Sequence, residues 1–118
     1  MLFQRNLMMN LLIADTDNSH LERARAEIER SGHRMLAARS MRQLHRIMNE
    51  QQHIHALLVS QCFGQTDDLS HVDELRAKYP SVPLIVCAEH TSVEAAVLSM
   101  KKDAEDYVRK SHVPGELR

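Results

Sequence analysis

The sequence has no Trp, two Phe and two Tyr among its 118 residues. A core without large rings must be aliphatic, with the seven Met as adaptable filler. Gly and Pro are equally scarce, three of each, which excludes long low-complexity stretches and Pro/Gly-rich linkers. Neither charge sign dominates: 15 Lys and Arg face 16 Asp and Glu, for a formal net charge of −1. That balance argues against a domain-wide electrostatic footprint for nucleic acid, so no direct nucleic-acid binding is expected. The basic residues of Arg39-Ser40-Met41-Arg42 and His45-Arg46 cluster locally and read as a solvated helix face. The two cysteines, Cys62 and Cys87, follow no metal or redox spacing. They fit a reducing compartment, and a cytoplasmic location is expected. The opening residues 1–9 are too short for a secretory signal or a membrane span. They read as a leader before one domain over residues 10–118, and no membrane partner is expected.

What is present is an alternation of short apolar runs and amphipathic segments. Leu11-Leu12-Ile13-Ala14 is closed by Asp15-Thr16-Asp17-Asn18-Ser19 and reads as a strand buried on both faces. Asp17, Asn18 or Ser19 can cap a helix with Leu21, Ala24 and Ile28 inward and Gly32 at its end. Met35–Ala38 is a second strand, and Ser40 can cap a helix burying Met41, Leu44 and Met48. Ala56–Val59 is a third strand, followed by a loop over residues 60–66. Asp67 or Asp68 is expected to cap a helix with Leu69, Val72 and Leu75 inward, stopped at Pro80. Pro83–Cys87 is a fourth strand. Thr91 or Ser92 caps a fourth helix whose stripe, Val93, Ala96, Val97 and Met100, is expected to face the core. Asp106–Arg109 is a fifth strand, and Pro114-Gly115-Glu116-Leu117-Arg118 opens a last helix that the chain truncates.

Strand–helix alternation of this kind predicts a doubly wound α/β fold, a five-stranded parallel sheet with helices on both faces. The flavodoxin-like sheets of this class take the order 2-1-3-4-5, which is the order expected here. Such folds place ligands at the carboxyl ends of their strands. Those ends carry Asp15, Ser60, Cys87-Ala88 and Arg109-Lys110.

Taken in order, these ends resemble the receiver domain of two-component response regulators, over roughly residues 10–117. The most specific stretch runs from Val93 to Lys110. Its Ala104-x-Asp106-Tyr107-x-x-Lys110 is similar to the fourth helix and fifth strand of receivers joined to sigma-54-dependent transcription activators. The resemblance implies a magnesium ion held by two acids after the first strand and a phosphoryl-accepting aspartate ending the third. It also implies a Thr or Ser after the fourth strand and a lysine after the fifth.

Only part of that set is matched. Asp15 matches the first acid and Lys110 the lysine, while Thr16 stands at the second acidic position with Asp17 one residue later. Ser60 stands at the acceptor position, Ala88 at the Thr/Ser position, and Ser111 replaces the usual proline after the lysine. Magnesium wants near-octahedral oxygen ligands, so losing carboxylates predicts weak or no binding, and no cofactor is expected. A neutral serine hydroxyl needs a base before it can act as nucleophile, so no catalytic residue is assigned. Asp15 and Lys110 are expected to pair across the strand ends. Tyr107 matches the family's switch aromatic. Glu94, Lys101, Asp106 and Arg109 lie on the fourth helix–fifth strand face through which receivers pair, so a homodimer there is possible. His53 and His55 alternate and could ligate zinc, but no third ligand stands nearby; an exposed or capping role is simpler.

The expectation is therefore a degenerate, non-enzymatic regulatory domain acting through a protein partner or an attached effector. Two alternatives stay open. One is a sensor holding a small anion or metabolite near Ser60, Ala88 and Lys110. The other is an enzyme of the wider flavodoxin-like architecture, against which stands the lack of a Gly-rich phosphate loop after the first strand.

Overall fold

The computed structural model describes residues 8–50, 53–64 and 68–110. The apolar runs form five strands: β1 Asn10–Ala14, β2 Arg34–Ala38, β3 Ala56–Ser60, β4 Leu84–Ala88 and β5 Asp106–Arg109. All pair in parallel, in the order β2-β1-β3-β4-β5. Between them lie α1 Asn18–Arg30, α2 Met41–Glu50, α3 Ser70–Lys78 and α4 Val93–Lys101.

Successive strand side chains alternate between the two faces of the sheet. Leu11, Ile13 and Leu58 pack with Leu21, Ala24 and Ile28 of α1. Leu12, Ala14, Leu57 and Val59 pack with Leu44 of α2 and with Val72 and Leu75 of α3. Covering both faces explains why β1 and β3 are continuously apolar rather than alternating.

Local chemistry sets most helix ends. The Asp17 side chain accepts the Ser19 and His20 amides and starts α1, and Gly32 takes the left-handed conformation just past its end. The Ser40 hydroxyl accepts the Gln43 amide at 3.1 Å and caps α2, and the Ser92 hydroxyl accepts the Ala95 amide and caps α4.

Two expectations are corrected. The position before α3 is taken by Leu69, left-handed at φ 58° and fully buried. Asp68 sits one residue earlier and accepts the Ser70 amide from there, while Asp67 lies outside the described residues. Burial of the Leu69 side chain offsets the cost of that backbone conformation. The second correction concerns α4. Its expected core stripe faces outward: Val93 is 79%, Val97 49% and Met100 48% exposed. The helix has two stripes at helical spacing, and the sheet takes the other one, through Leu98 and the fully buried Ser99. The expected last helix, and residues 1–7 of the expected leader, lie outside the described residues.

Candidate functional site

Parallel register brings the strand ends to one edge of the sheet. Ala14 pairs with Val59, Ser60 with Cys87, and Ala88 with Arg109. Asp15 follows β1 and Lys110 follows β5, so residues far apart in sequence meet there.

Asp15 is the centre of this edge and is 2% exposed. Its Oδ2 accepts from Lys110 Nζ at 2.9 Å and from His20 Nδ1 at 2.8 Å. Its Oδ1 accepts the Asp17 amide at 3.1 Å. Burial by itself raises the carboxyl's pKa; the hydrogen bonds from His20, Lys110 and the Asp17 amide, with the Lys110 charge, overcome it and lower the value to about 2. Asp15 is thus ionised at neutral pH, and His20 Nδ1 must carry the hydrogen between them. His20 is itself 2% exposed, and its Nε2 has no partner among the described residues.

The neighbouring candidates differ in kind. Thr16 is exposed. Asp17 is occupied in capping α1, with Oδ1 3.0 Å from the Ser19 amide. Ser60 is buried; its hydroxyl accepts the Cys62 amide at 3.3 Å, and its carbonyl accepts from His71 Nε2 at 3.0 Å. Burial lowers the His71 pKa, so this imidazole is neutral and ties α3 to the end of β3. Gly64 leaves room for it: a Cβ there would stand 2.6 Å from His71 Nδ1. Ala88 is buried and carries no polar side-chain atom. Burial, then the nearby Asp15 charge, pushes the Cys87 thiol up to about 12, which makes it an inert core residue.

Tyr107 is half-buried. Its hydroxyl donates to Gln61 Oε1 at 3.0 Å and accepts the Ser92 amide at 3.2 Å. It therefore joins the loop after Ser60 to the N-terminus of α4. Glu94, Lys101, Asp106 and Arg109 are exposed. Lys101 borders a shallow apolar depression with Ala96, Val97 and Met100. His53 and His55 meet edge to face at 4.2 Å, away from this site, and His55 Nδ1 accepts the Asn10 amide. Among the described residues no group of three or more His, Cys, Asp or Glu is placed to hold a metal ion, and no helix is long and apolar enough to cross a membrane.

A five-stranded parallel sheet in this order, with a buried acid after β1 and a lysine after β5, defines a signalling-receiver architecture. The sequence model described as "Response regulator receiver domain" matches residues 11–118, and the chain belongs to that family. Receivers of this family are regulatory domains of signal transduction. The chain is 28% identical over 102 residues to the transcriptional regulatory protein ZraR of Escherichia coli strain K12, covering 86% of this chain and 23% of that protein. It thus spans about a quarter of the length of that relative. Among solved structures, a response regulator receiver domain protein from Clostridium thermocellum superposes with a TM-score of 0.80 at 21% identity, covering 93% of this chain and 88% of that one. The beryllofluoride-activated NtrC4 receiver domain dimer superposes with a TM-score of 0.75 at 20% identity, covering 94% and 100%.

The magnesium ion that the resemblance implies is a poor fit to these residues. Magnesium needs an octahedral set of oxygens, usually carboxylates and water. Here the Asp15 oxygens already accept three hydrogen bonds from the chain itself, the Asp17 carboxylate caps a helix, and Ser60 offers a neutral hydroxyl. An ammonium 2.9 Å from the key carboxylate also opposes a second cation.

Sequence reasoning overlooked His20 and His71. Each stands four residues before a buried helix residue, Ala24 and Leu75 respectively. That spacing places an imidazole on the inward stripe, a signal available from sequence alone.

Proposed function

We propose that this receiver domain regulates through protein contact and without phosphoryl transfer. The observation that carries the reading is Asp15, whose carboxylate is fully engaged by Lys110, His20 and the Asp17 amide. In that arrangement the chain supplies the counter-charge that a metal ion would otherwise bring. Ser60 adds no charge, and the imidazole beside it is not its general base, because His71 donates to the Ser60 carbonyl rather than accepting from its hydroxyl.

The contact surface of this reading is the outer face of α4 with the end of β5. Val93, Val97 and Met100 form an exposed apolar strip, bordered by Glu94, Lys101, Asp106 and Arg109. An apolar centre with a mixed-charge rim suits a modest protein interface. The occupant is a second copy of the chain or an effector domain attached in the parent protein; the NtrC4 receiver domain, of the same fold, is itself a dimer.

Intact-mass measurement after incubation with acetyl phosphate and magnesium tests the chemical half of the proposal. The expected result is an unchanged mass. Addition of one phosphoryl group, removable by hydroxylamine as an acyl phosphate is, overturns it. For the contact half, Val97→Glu is expected to weaken self-association or effector control while leaving the fold intact; an unchanged sedimentation profile together with unchanged effector output contradicts it.

A further inference from the structure

Next to the closed Asp15 pocket lies an open cleft of about 440 Å³, lined by Arg23, Glu89, His90, Thr91, Arg109 and Lys110. Three separate parts of the fold build it. Arg23 comes from α1, Arg109 ends β5, and Glu89, His90 and Thr91 form the loop between β4 and α4. Arg23 and Arg109 are exposed, and their side chains make no hydrogen bond or ion pair among the described residues. Lys110 differs, since its ammonium is already held by Asp15. Glu89 is the one carboxylate among the described lining residues. The cleft therefore holds an excess of positive charge with two uncommitted guanidinium groups.

We propose that this cleft binds a small phosphoryl dianion, either free phosphate or the phosphate of a small monoester. A guanidinium presents paired N–H donors that match the oxygens of a phosphoryl group, and two of them balance its double charge. The volume falls within the roughly 300–1,000 Å³ common for small-ligand sites. Large apolar side chains are missing from the described lining, so a charged, compact ligand suits it better than a hydrophobic one. The cleft shares Lys110 with the vestigial pocket but lies outside it, because Asp15, Ser60 and Ala88 are buried and do not line it.

Binding here has a route to the α4 face. His90 and Thr91 run directly into Ser92, whose amide donates to the Tyr107 hydroxyl and whose own hydroxyl caps α4. A dianion bridging Arg109 and this loop holds the start of α4 in place. Only this consequence rests on the contact reading; the binding itself does not.

The test is a backbone-amide titration of the full chain with inorganic phosphate and with phenyl phosphate, against chloride at matched ionic strength. Saturable shifts are expected at residues 89–91 and at Arg109. A tighter response to phenyl phosphate identifies a monoester as the preferred form, and an equal response identifies free phosphate. Arg109→Gln and Arg23→Gln should each weaken binding about tenfold, and Glu89→Gln should strengthen it. A response no larger than that to chloride overturns the proposal. So does unchanged affinity in Arg23→Gln, whose exposed helical position keeps the fold safe, or a response centred on Ser60 and Cys62. None of these failures alters the outcome of the acetyl phosphate or Val97→Glu experiments.

Discussion

The inner pocket and the outer cleft sit side by side at the same edge of the sheet and treat charge in opposite ways. In the pocket, Asp15, His20 and Lys110 are nearly inaccessible, and His20 and Lys110 both donate to the Asp15 carboxylate. In the cleft, Arg23 and Arg109 are open to solvent and satisfy nothing among the described residues. Charges in the pocket hold the fold, and removing one leaves an uncompensated ion in a low-dielectric site. Charges in the cleft can be removed with little effect on stability, which leaves them free to serve a ligand.

The largest expected effect follows from breaking the inner pair. Lys110→Met keeps most of the side-chain volume but strands the Asp15 carboxylate, and should cost about 3 kcal/mol in urea unfolding. Adding Asp15→Asn to that variant should recover much of the loss, because the stranded charge is gone. If Lys110→Met costs no more than a surface substitution, the pocket is not the closed unit described.

Acid should expose the same interaction. Asp15 has its pKa lowered from 3.8 to about 2 in the folded protein. The stability it contributes is complete above about pH 4 and is lost as pH falls toward 2; by linkage it is on the order of 2 kcal/mol. Urea midpoints measured across this range should fall more steeply in the parent chain than in Asp15→Asn. Parallel curves would assign the acid sensitivity to other carboxylates.

A smaller effect is expected at the joint between the two regions. Tyr107→Phe removes the bonds to Gln61 and to the Ser92 amide and should cost about 1 kcal/mol. The Ser92 and Ala95 amide resonances should shift in this variant, whereas those of β1 should not. Smallest of all, Arg109→Gln should change stability by less than about 0.5 kcal/mol. A larger loss would make Arg109 a structural residue and erase the contrast with Lys110.

The fold was legible because its strands are buried on both faces: Leu11–Ala14 and Ala56–Val59 are apolar runs too short for helices and bounded by turn formers. The edge location of Asp15, Ser60, Ala88 and Lys110 followed from strand order alone. The α4 orientation did not, because two stripes a half-turn apart both fit helical spacing and only packing against β4 and β5 chooses between them. The spacing of His20 to Ala24 marks it as inward-facing, but its partner was not legible, because the bond to Asp15 depends on the turn between β1 and α1. The cleft was likewise invisible, since Arg23 and Arg109 are separated by most of the chain and converge only through the parallel sheet.

On the proposed reading, Asp15 is held by the chain's own groups and is closed to a metal–phosphoryl assembly. Its most direct test is a titration of the isotope-labelled protein with magnesium and beryllofluoride, following backbone amides. No saturable change is expected at Asp15, His20, Ser60 or Lys110. Saturable shifts beginning at Ser60 and spreading through Gln61 to Tyr107 would contradict it, and would mean that the pocket opens to the ion and drives the α4 face.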